Sequence, residues 1–383
     1  MADVSPSANS GAAGTEYQTI EALRRLGHEV DALWQESFPR KTRHGNLHYL
    51  LELPFAYRDA MLERLRQKYY DVVHVNQPHG YLAAKALSKD KSGPVFIHRS
   101  HGFELRVEED LKPWRVKYDH DGRALPRKIA SKAIAQAIAH NCRGIARYAD
   151  GHIVSASQCR DFLRDHMRVP IERIAVIPQA AANSFLEQPA ATMTAERMTR
   201  ILYVGQFAFF KAPAIVASAM NELSNADPRL EFSWVCSNKD HQAVRAMLAD
   251  EARDRVRLLD WMTQEELMRV YDSHGVFLFP SFFEGFGKVF LEAMSRGLCV
   301  IAADNGGAHD VIVNEVSGTL TPTGDVDAMV KACLRLTGDH DSAARMSKAA
   351  AEAARTYTWD RVARETTDFY ENRLVAKAHL QGR

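Results

Sequence analysis

Cysteine is scarce and scattered. The five residues (Cys142, Cys159, Cys236, Cys299, Cys333) are odd in number, and no pair has metal-ligand or redox spacing. That argues against a disulfide framework and reads as free thiols in a reducing compartment. An excess of charge of one sign is missing too. The formal net charge is +1, so no global basic field attracts nucleic acid. No uninterrupted apolar stretch approaches the roughly 18–20 residues of a membrane span, and the N-terminus has no apolar signal core. A soluble cytoplasmic protein is expected, with possible peripheral contact to the inner face of a membrane. Four catalytic signatures are also absent: the Walker lysine motif, His-Glu-x-x-His, Gly-x-Ser-x-Gly and Gly-x-Gly-x-x-Gly. The last absence argues against a nicotinamide or flavin dehydrogenase. Neither a metal nor a cofactor is expected.

What is present is globular. The chain has 383 residues, 46% hydrophobic and 25% charged, enough for two domains of ordinary size. Short, nearly continuous apolar runs recur: Val30–Trp34, Asp71–Val75, Pro94–His98, Gly151–Val154 and Arg173–Ile177. Such runs suit strands buried on both faces of a parallel sheet. Helical patterns lie between them, among them Ala60–Tyr69 and Lys128–Ala149. Residues 187–199 carry Pro and small residues without strong periodicity and read as a linker. The pattern then restarts with strands over Arg200–Val204, Leu230–Val235, Val256–Leu259, Val276–Phe279 and Cys299–Ala302. Helices are expected over Ala212–Leu223, His241–Glu251, Gln264–Tyr271, Gly287–Arg296 and Asp325–Leu336. Two strand–helix series predict an α/β protein with two Rossmann-like domains facing a cleft, residues 1–187 and 188–360. A Gly-containing loop, Gly11–Glu16, precedes the first helix, and Gly27 stops that helix. Such a loop normally follows a strand, and none precedes it here. The favoured reading is that the first strand of the N-terminal domain is missing; a simple capped start is the alternative.

In open α/β sheets ligands bind beyond the carboxyl ends of the strands. His74, Asn76 and Gln77 fall there, as do His101, Gly102 and Glu104, and Ser155 and Ser157. In the second half Gly205, Gln206 and Lys211 follow one strand, Glu284 another, and Asp304-Asn-Gly-Gly307 the last. The stretch Pro280–Met294 is the richest of these. It places Glu284 in a Gly-containing turn and Glu292 in the helix that follows. Free N–H groups at that helix start suit hydroxyl or phosphate oxygens. Spacing alone equally fits a plain βα turn with an acidic first turn and a solvated stripe of Lys288, Glu292 and Arg296. Asp119-His120-Asp121 has no strand before it and reads as a loop. Residues 112–132 are locally basic with two aromatics, Trp114 and Tyr118. They suit either contact with anionic lipid or a solvated insertion.

Taken together, the motifs resemble the family 4 glycosyltransferases, retaining enzymes of the GT-B fold. The resemblance rests on Gly11–Glu16 with Gly27-His-Glu-Val30, Tyr70–His74, His101-Gly102, Val176–Pro178, Leu202–Gly205 through Lys211, Glu284-x7-Glu292, Gly306-Gly307 and Thr358-Trp359. It implies an N-terminal acceptor domain, a C-terminal donor domain and a last helix, about 361–383, that packs back onto the first. It implies that His101 lies beside the transferred sugar and that Gly14, Gly205, Gln206 and Lys211 approach the donor diphosphate. Glu284 would contact sugar hydroxyls beside Gly285 and the backbone N–H groups of Phe286 and Gly287, and Glu292 would bind the ribose. His101, Glu284 and Lys211 are then the catalytic set. The implied reaction moves a sugar from a nucleotide-diphosphate donor to a glycan, lipid-linked or small-molecule acceptor, without a metal. The chain departs from the family at Gln206 (usually Arg), Ala212 (usually Gly), Gln179-Ala180 (usually Asn-Gly) and Asp310 (often Glu). A neutral amide at 206 lacks the bidentate charge an Arg offers a phosphate. A catalytically silent GT-B binding protein is therefore the alternative, and a GT-B epimerase a third reading.

Overall fold

The computed structural model describes residues 1–2, 12–42, 45–118 and 125–381. The chain forms two compact units: Met1–Pro178 with Trp359–Arg383, and Gln179–Thr358.

The first unit is built on a four-stranded parallel sheet in the order β1-β2-β3-β4. The strands are β1 (Val72–Asn76), β2 (Val95–Ser100), β3 (Gly151–Val154) and β4 (Ile174–Val176). Apolar residues dominate the four strands, with His74, His98, Arg99 and His152 as the charged or titratable exceptions. Helix Ala12–Arg25 packs on the last helix, Trp359–Gln381. His28 Nε2 lies 2.9 Å from Thr367 Oγ1, and Arg25 pairs with Asp360 at 2.7 Å. Gly27, at φ +93°, ends the first helix. Its N–H reaches Arg24 O, and His28 N–H reaches back to Leu23 O, closing the last turn.

No strand forms over Val30–Trp34, contrary to expectation. The reason is how little backbone pairs with it among the described residues. Between this segment and β1 the described residues place only Met1 and Ala2. Ala2 N–H donates to Leu33 O (3.0 Å), Asn76 N–H donates to Met1 O (3.0 Å), and the Met1 amine donates to His74 O (2.7 Å). Two residues satisfy too little backbone to hold a ladder.

The second unit carries a six-stranded parallel sheet in the order β10-β9-β8-β5-β6-β7. Its strands are β5 (Arg200–Val204), β6 (Glu231–Val235), β7 (Val256–Leu259), β8 (Val276–Phe279), β9 (Cys299–Ala303) and β10 (Thr319–Thr321). β10 is only three residues long and gave no sequence signal. Apolar clusters fill both faces, one around Trp234, Met220 and Ile301, the other around Phe277, Phe290 and Met294. The expected helix over His241–Glu251 is two, His241–Met247 and Asp250–Arg253, because Leu248 between them is extended.

The division between units falls at Pro178/Gln179 rather than 187/188, and the return at Thr358/Trp359 rather than after 360. Residues 183–187 form a helix whose Phe185 stacks edge-on with Tyr271 inside the second core. Nor is 187–199 a linker. Arg197 is buried in it and donates to four carbonyls: Ala191 O (2.5 Å), Thr192 O (2.9 Å), His274 O (3.1 Å) and Arg296 O (3.2 Å). Thr194 caps the short helix Ala195–Met198 that carries it. One guanidinium thus sews a weakly patterned segment to the sheet. Arg197→Met should leave those carbonyls unsatisfied and cost on the order of 3 kcal/mol. The measurement is thermal unfolding, with Tm expected to fall by roughly 6–12 °C; an unchanged Tm would contradict this role.

Candidate active site

In the second sheet β5 and β8 are neighbours, and the chain winds outward from them in opposite directions. At such a switch point the loops leaving the two carboxyl ends part and open a crevice. The loop after β5 supplies Gly205, Gln206 and Lys211. The loop after β8 supplies Ser281 and Glu284.

Lys211 Nζ and Glu284 Oε1 meet at 2.5 Å, with both side chains largely buried. Ser281 Oγ donates to the same carboxylate oxygen at 2.7 Å. Asn305, after β9, donates from Nδ2 to Ser281 O (2.7 Å) and to Thr323 Oγ1 (3.2 Å), tying a third loop to the second. The turn around Glu284 depends on glycine. Gly287 has φ +93°, and a Cβ there would strike Phe279 at 2.4 Å. Gly306, at φ +58°, lies so close that a Cβ would meet Glu284 Cβ at 2.5 Å. The carboxylate therefore has one narrow seat.

Two helices begin at this place. Pro213–Ala226 starts directly after Lys211, and Lys288–Ser295 starts after Gly287. Helix N-termini carry partial positive charge and unpaired N–H groups. A lysine there is electrostatically unfavourable until an anion joins it. In this structure Glu284 plays that part. Ala212, the cap of the first helix, sits at φ +54° although it is not glycine, a left-handed conformation that strains an L side chain.

Glu292 lies further along its helix. Burial raises its pKa, opposed by the nearby Lys288 ammonium and by the Tyr271 hydroxyl 3.4 Å from Oε2. Gln206 is exposed. Gly205 is held closely, since a Cβ would meet the Tyr203 hydroxyl at 2.6 Å. Gly285 and Phe286 belong to the turn, and Gly307 N–H donates to Phe286 O at 3.0 Å.

His101 and Gly14 belong to the first unit. Gly14 is buried inside helix Ala12–Arg25 rather than on a loop, and Gly11 lies outside the described residues. His101 Nε2 is 2.6 Å from Glu16 Oε1. Burial alone would raise the Glu16 pKa. The hydrogen bond from His101 and the charges of His101, Arg99 and His74 override it and hold the carboxyl well below the usual range. Arg99 is fully buried and donates to Thr19 Oγ1 at 3.2 Å. Its Nε and Nη2 have no partner among the described residues. Site reasoning from the sequence did not single out Glu16, Arg99, Ser281 or Asn305. Glu16 and Asn305 were within motifs already singled out, and Ser281 adjoins Glu284 in Pro-Ser-x-x-Glu. Arg99 gave no signal. Asp119-His120-Asp121 lies outside the described residues.

Among the described residues no helix is long and apolar enough to cross a membrane. The five cysteines are free and buried.

A six-stranded and a four-stranded parallel sheet in one chain suit the GT-B fold, and comparison with solved structures assigns it. Sucrose-phosphate synthase from Thermosynechococcus elongatus superposes with a TM-score of 0.74 at 21% identity, over 98% of this chain and 96% of that one. The catalytic domain of starch synthase IV from Arabidopsis thaliana, bound to ADP and acarbose, gives 0.69 at 13% identity, over 98% of each. Two family models match in tandem: Glycosyltransferase Family 4 over residues 10–181 and Glycosyl transferases group 1 over 198–339. A D-inositol 3-phosphate glycosyltransferase from Corynebacterium glutamicum is 27% identical, over 85% of this chain and 78% of its own length. The chain belongs to the family 4 glycosyltransferases, enzymes of the hexosyltransferase type.

Glu104, three residues after His101, begins helix Glu104–Tyr118. Burial raises its pKa to about 7, against a smaller pull from hydrogen bonds that include the Cys142 thiol. The folded state therefore holds a proton that the unfolded state, at 4.5, releases. Its stabilising effect is full below pH 4.5 and is lost as pH rises through 7. Glu104→Gln should match the parent near pH 4.5 and exceed it at pH 8, by as much as about 3 kcal/mol. Urea unfolding at the two pH values checks this; an equal difference at both would contradict it.

Proposed function

We propose that the chain moves a hexose from a nucleoside-diphosphate sugar to an acceptor hydroxyl, with retention of anomeric configuration and without a metal ion. The observation that carries this reading is the Lys211–Glu284 pair between two helix N-termini at the switch point. A diphosphate brings more negative charge than one carboxylate and accepts from all three donor sets at once. Lys211 and the helix starts then stabilise the charge that grows on the departing diphosphate. Glu284, released from the ammonium and kept in place by Ser281, turns to a sugar hydroxyl. Glu292 takes the ribose hydroxyls. The bond from the anomeric carbon to the phosphate oxygen breaks, and the acceptor oxygen bonds that carbon from the same face. The acceptor proton passes to an oxygen of the leaving diphosphate. His101, oriented by Glu16, is the residue this reading places beside the transferred sugar.

The ADP named with starch synthase IV supports a nucleotide donor, and the name of the Corynebacterium relative supports a phosphorylated polyol as the first acceptor to try. A lipid-linked acceptor finds support in Lys112, Val116 and Lys117, all exposed on helix Glu104–Tyr118. Gln206, exposed and neutral, favours the silent alternative.

The test is transfer from uridine, guanosine and adenosine diphosphate sugars to a panel including D-inositol 3-phosphate, lipid-linked sugars and oligosaccharides. Glu284→Ala and Lys211→Ala should each lose roughly 100-fold or more of the rate while the protein stays folded by circular dichroism. Product anomers by NMR should match the donor, and chelator should have no effect. Full activity in either variant or an inverted product would overturn the mechanism. Nucleotide-sugar binding without transfer would establish the silent alternative, and donor conversion without acceptor the epimerase.

A further inference from the structure

Helical backbone runs unbroken from Gly45 to Gln67: an α turn over Gly45–Leu47, a π stretch over His48–Glu52, and the long helix Leu53–Gln67. Its inward side is what a core needs, with His48, Leu53, Tyr57 and Met61 buried. Its outward side is not uniform. The row Leu47, Leu51, Phe55, Asp59, Glu63, Gln67 steps by four residues and is exposed throughout. The last three members are polar, as suits a solvated face. The first three are apolar, at 44, 63 and 49% exposure. Neighbouring apolar side chains on one outward row form a patch, and such a patch marks a contact.

The patch is fixed to the fold. Tyr49, between Leu47 and Leu51, stacks on His79 with ring centroids 5.4 Å apart and planes at 14°. His79 belongs to the turn Pro78–Gly80, just after β1. His48 Nδ1 lies 2.8 Å from Glu52 Oε2, and Lys41 N–H donates to the same oxygen at 3.2 Å. Thr42 Oγ1 donates to Glu52 Oε1. These bonds bring residues 41–42 against the helix start.

Charge around the patch leans to one sign. The residues before it read Arg40-Lys41-Thr42-Arg43, three cations in four positions. Arg40 and Lys41 are exposed. Glu52 is the only acid from 37 to 58, and the donors at residues 41, 42 and 48 take up its carboxylate. Beyond the row's apolar end, the Arg58 guanidinium lies 5.2 Å from the centroid of the Phe55 ring and pairs with Asp59 at 2.7 Å.

An apolar row with a basic rim is complementary to an anionic lipid surface: acyl chains take the row and phosphates take the cations. A second copy fits poorly, because a two-fold contact sets each patch on itself and cation against cation. We propose that the helix start over residues 45–55 docks the protein on an anionic membrane surface. Leu47, Leu51 and Phe55 enter the boundary between headgroups and acyl chains, and Arg40, Lys41 and Arg58 stay at the phosphates. The row is about 12 Å long, so the contact is shallow and needs both the apolar and the electrostatic attraction. It is separate from helix Glu104–Tyr118, where Val116 is the one exposed large hydrophobic side chain among the described residues. The proposal stands independently of the transfer reaction.

Two measurements test it. The five native cysteines are buried, so one added cysteine takes a thiol-reactive, polarity-sensitive dye selectively. Leu51→Cys and Glu63→Cys place the dye on the apolar and polar ends of the same row. Each labelled chain is mixed with vesicles of phosphatidylglycerol and phosphatidylcholine in equal parts, and with vesicles of phosphatidylcholine alone. With the mixed vesicles the emission at position 51 should shift to the blue and that at position 63 should not, and salt should weaken the response. In co-sedimentation, the unlabelled triple variant Leu47→Ser, Leu51→Ser, Phe55→Ser should lose about tenfold or more of its affinity for the mixed vesicles. Val116→Ser should bind like the parent. No blue shift at 51, an equal shift at 51 and 63, or undiminished sedimentation of the triple variant would overturn the proposal. Lost sedimentation in Val116→Ser would also overturn it, giving the contact to helix Glu104–Tyr118. So would a shift at 51 that grows with protein concentration in the absence of lipid, which would give the patch to a second copy.

Discussion

A lysine at a helix N-terminus is a placement that physics disfavours, and the candidate site is organised around neutralising it. Lys211 sits where Pro213–Ala226 begins, and Glu284 comes from the next strand over to pair with it. The sheet order makes this possible, because β5 and β8 are neighbours only where the winding reverses. Glycines at 287 and 306 let the loops approach closely enough to fix the carboxylate. Ser281 and Asn305 then hold the loop from behind. On the proposed reading the pair is a resting state in which Glu284 holds the place of the donor's diphosphate.

Much of this was legible in the residues. The β8 and β9 runs are apolar throughout and β5 is apolar after Arg200, and each ends in a polar or glycine loop, so the strand-end rule places Lys211 and Glu284 at neighbouring strand ends. Glu284-x7-Glu292 also marked the right turn and helix. Ser281 and Asn305 were harder. Their roles come from reaching across loops, and nothing in local spacing reports a cross-loop hydrogen bond. Gly14 illustrates the reverse error. A glycine near a helix start reads as a loop, but here it is buried inside the first helix.

The larger misreadings have one cause: a segment's state depends on a partner that local pattern does not encode. Val30–Trp34 has the composition of a strand and is not one, because among the described residues only Met1 and Ala2 bridge it to β1. Residues 187–199 have the composition of a linker and are not one, because Arg197 binds four carbonyls from within them. In both cases hydrogen-bond accounting decided the outcome over propensity. Ala212 at φ +54° keeps its backbone paired in the same way: its N–H donates to Phe209 O (3.0 Å), and its carbonyl accepts from Ile215 N–H (3.0 Å).

The central claim is that the Lys211 ammonium is the diphosphate's counter-charge and Glu284 its stand-in. Calorimetric titration with uridine, guanosine and adenosine diphosphates tests it without needing the acceptor. The account predicts that at least one binds the parent chain and that Lys211→Met weakens it about 10-fold or more. Glu284→Gln, which frees the ammonium, should bind it as tightly or more so. Equal affinity in the parent and Lys211→Met, or weaker binding in Glu284→Gln, would contradict the account.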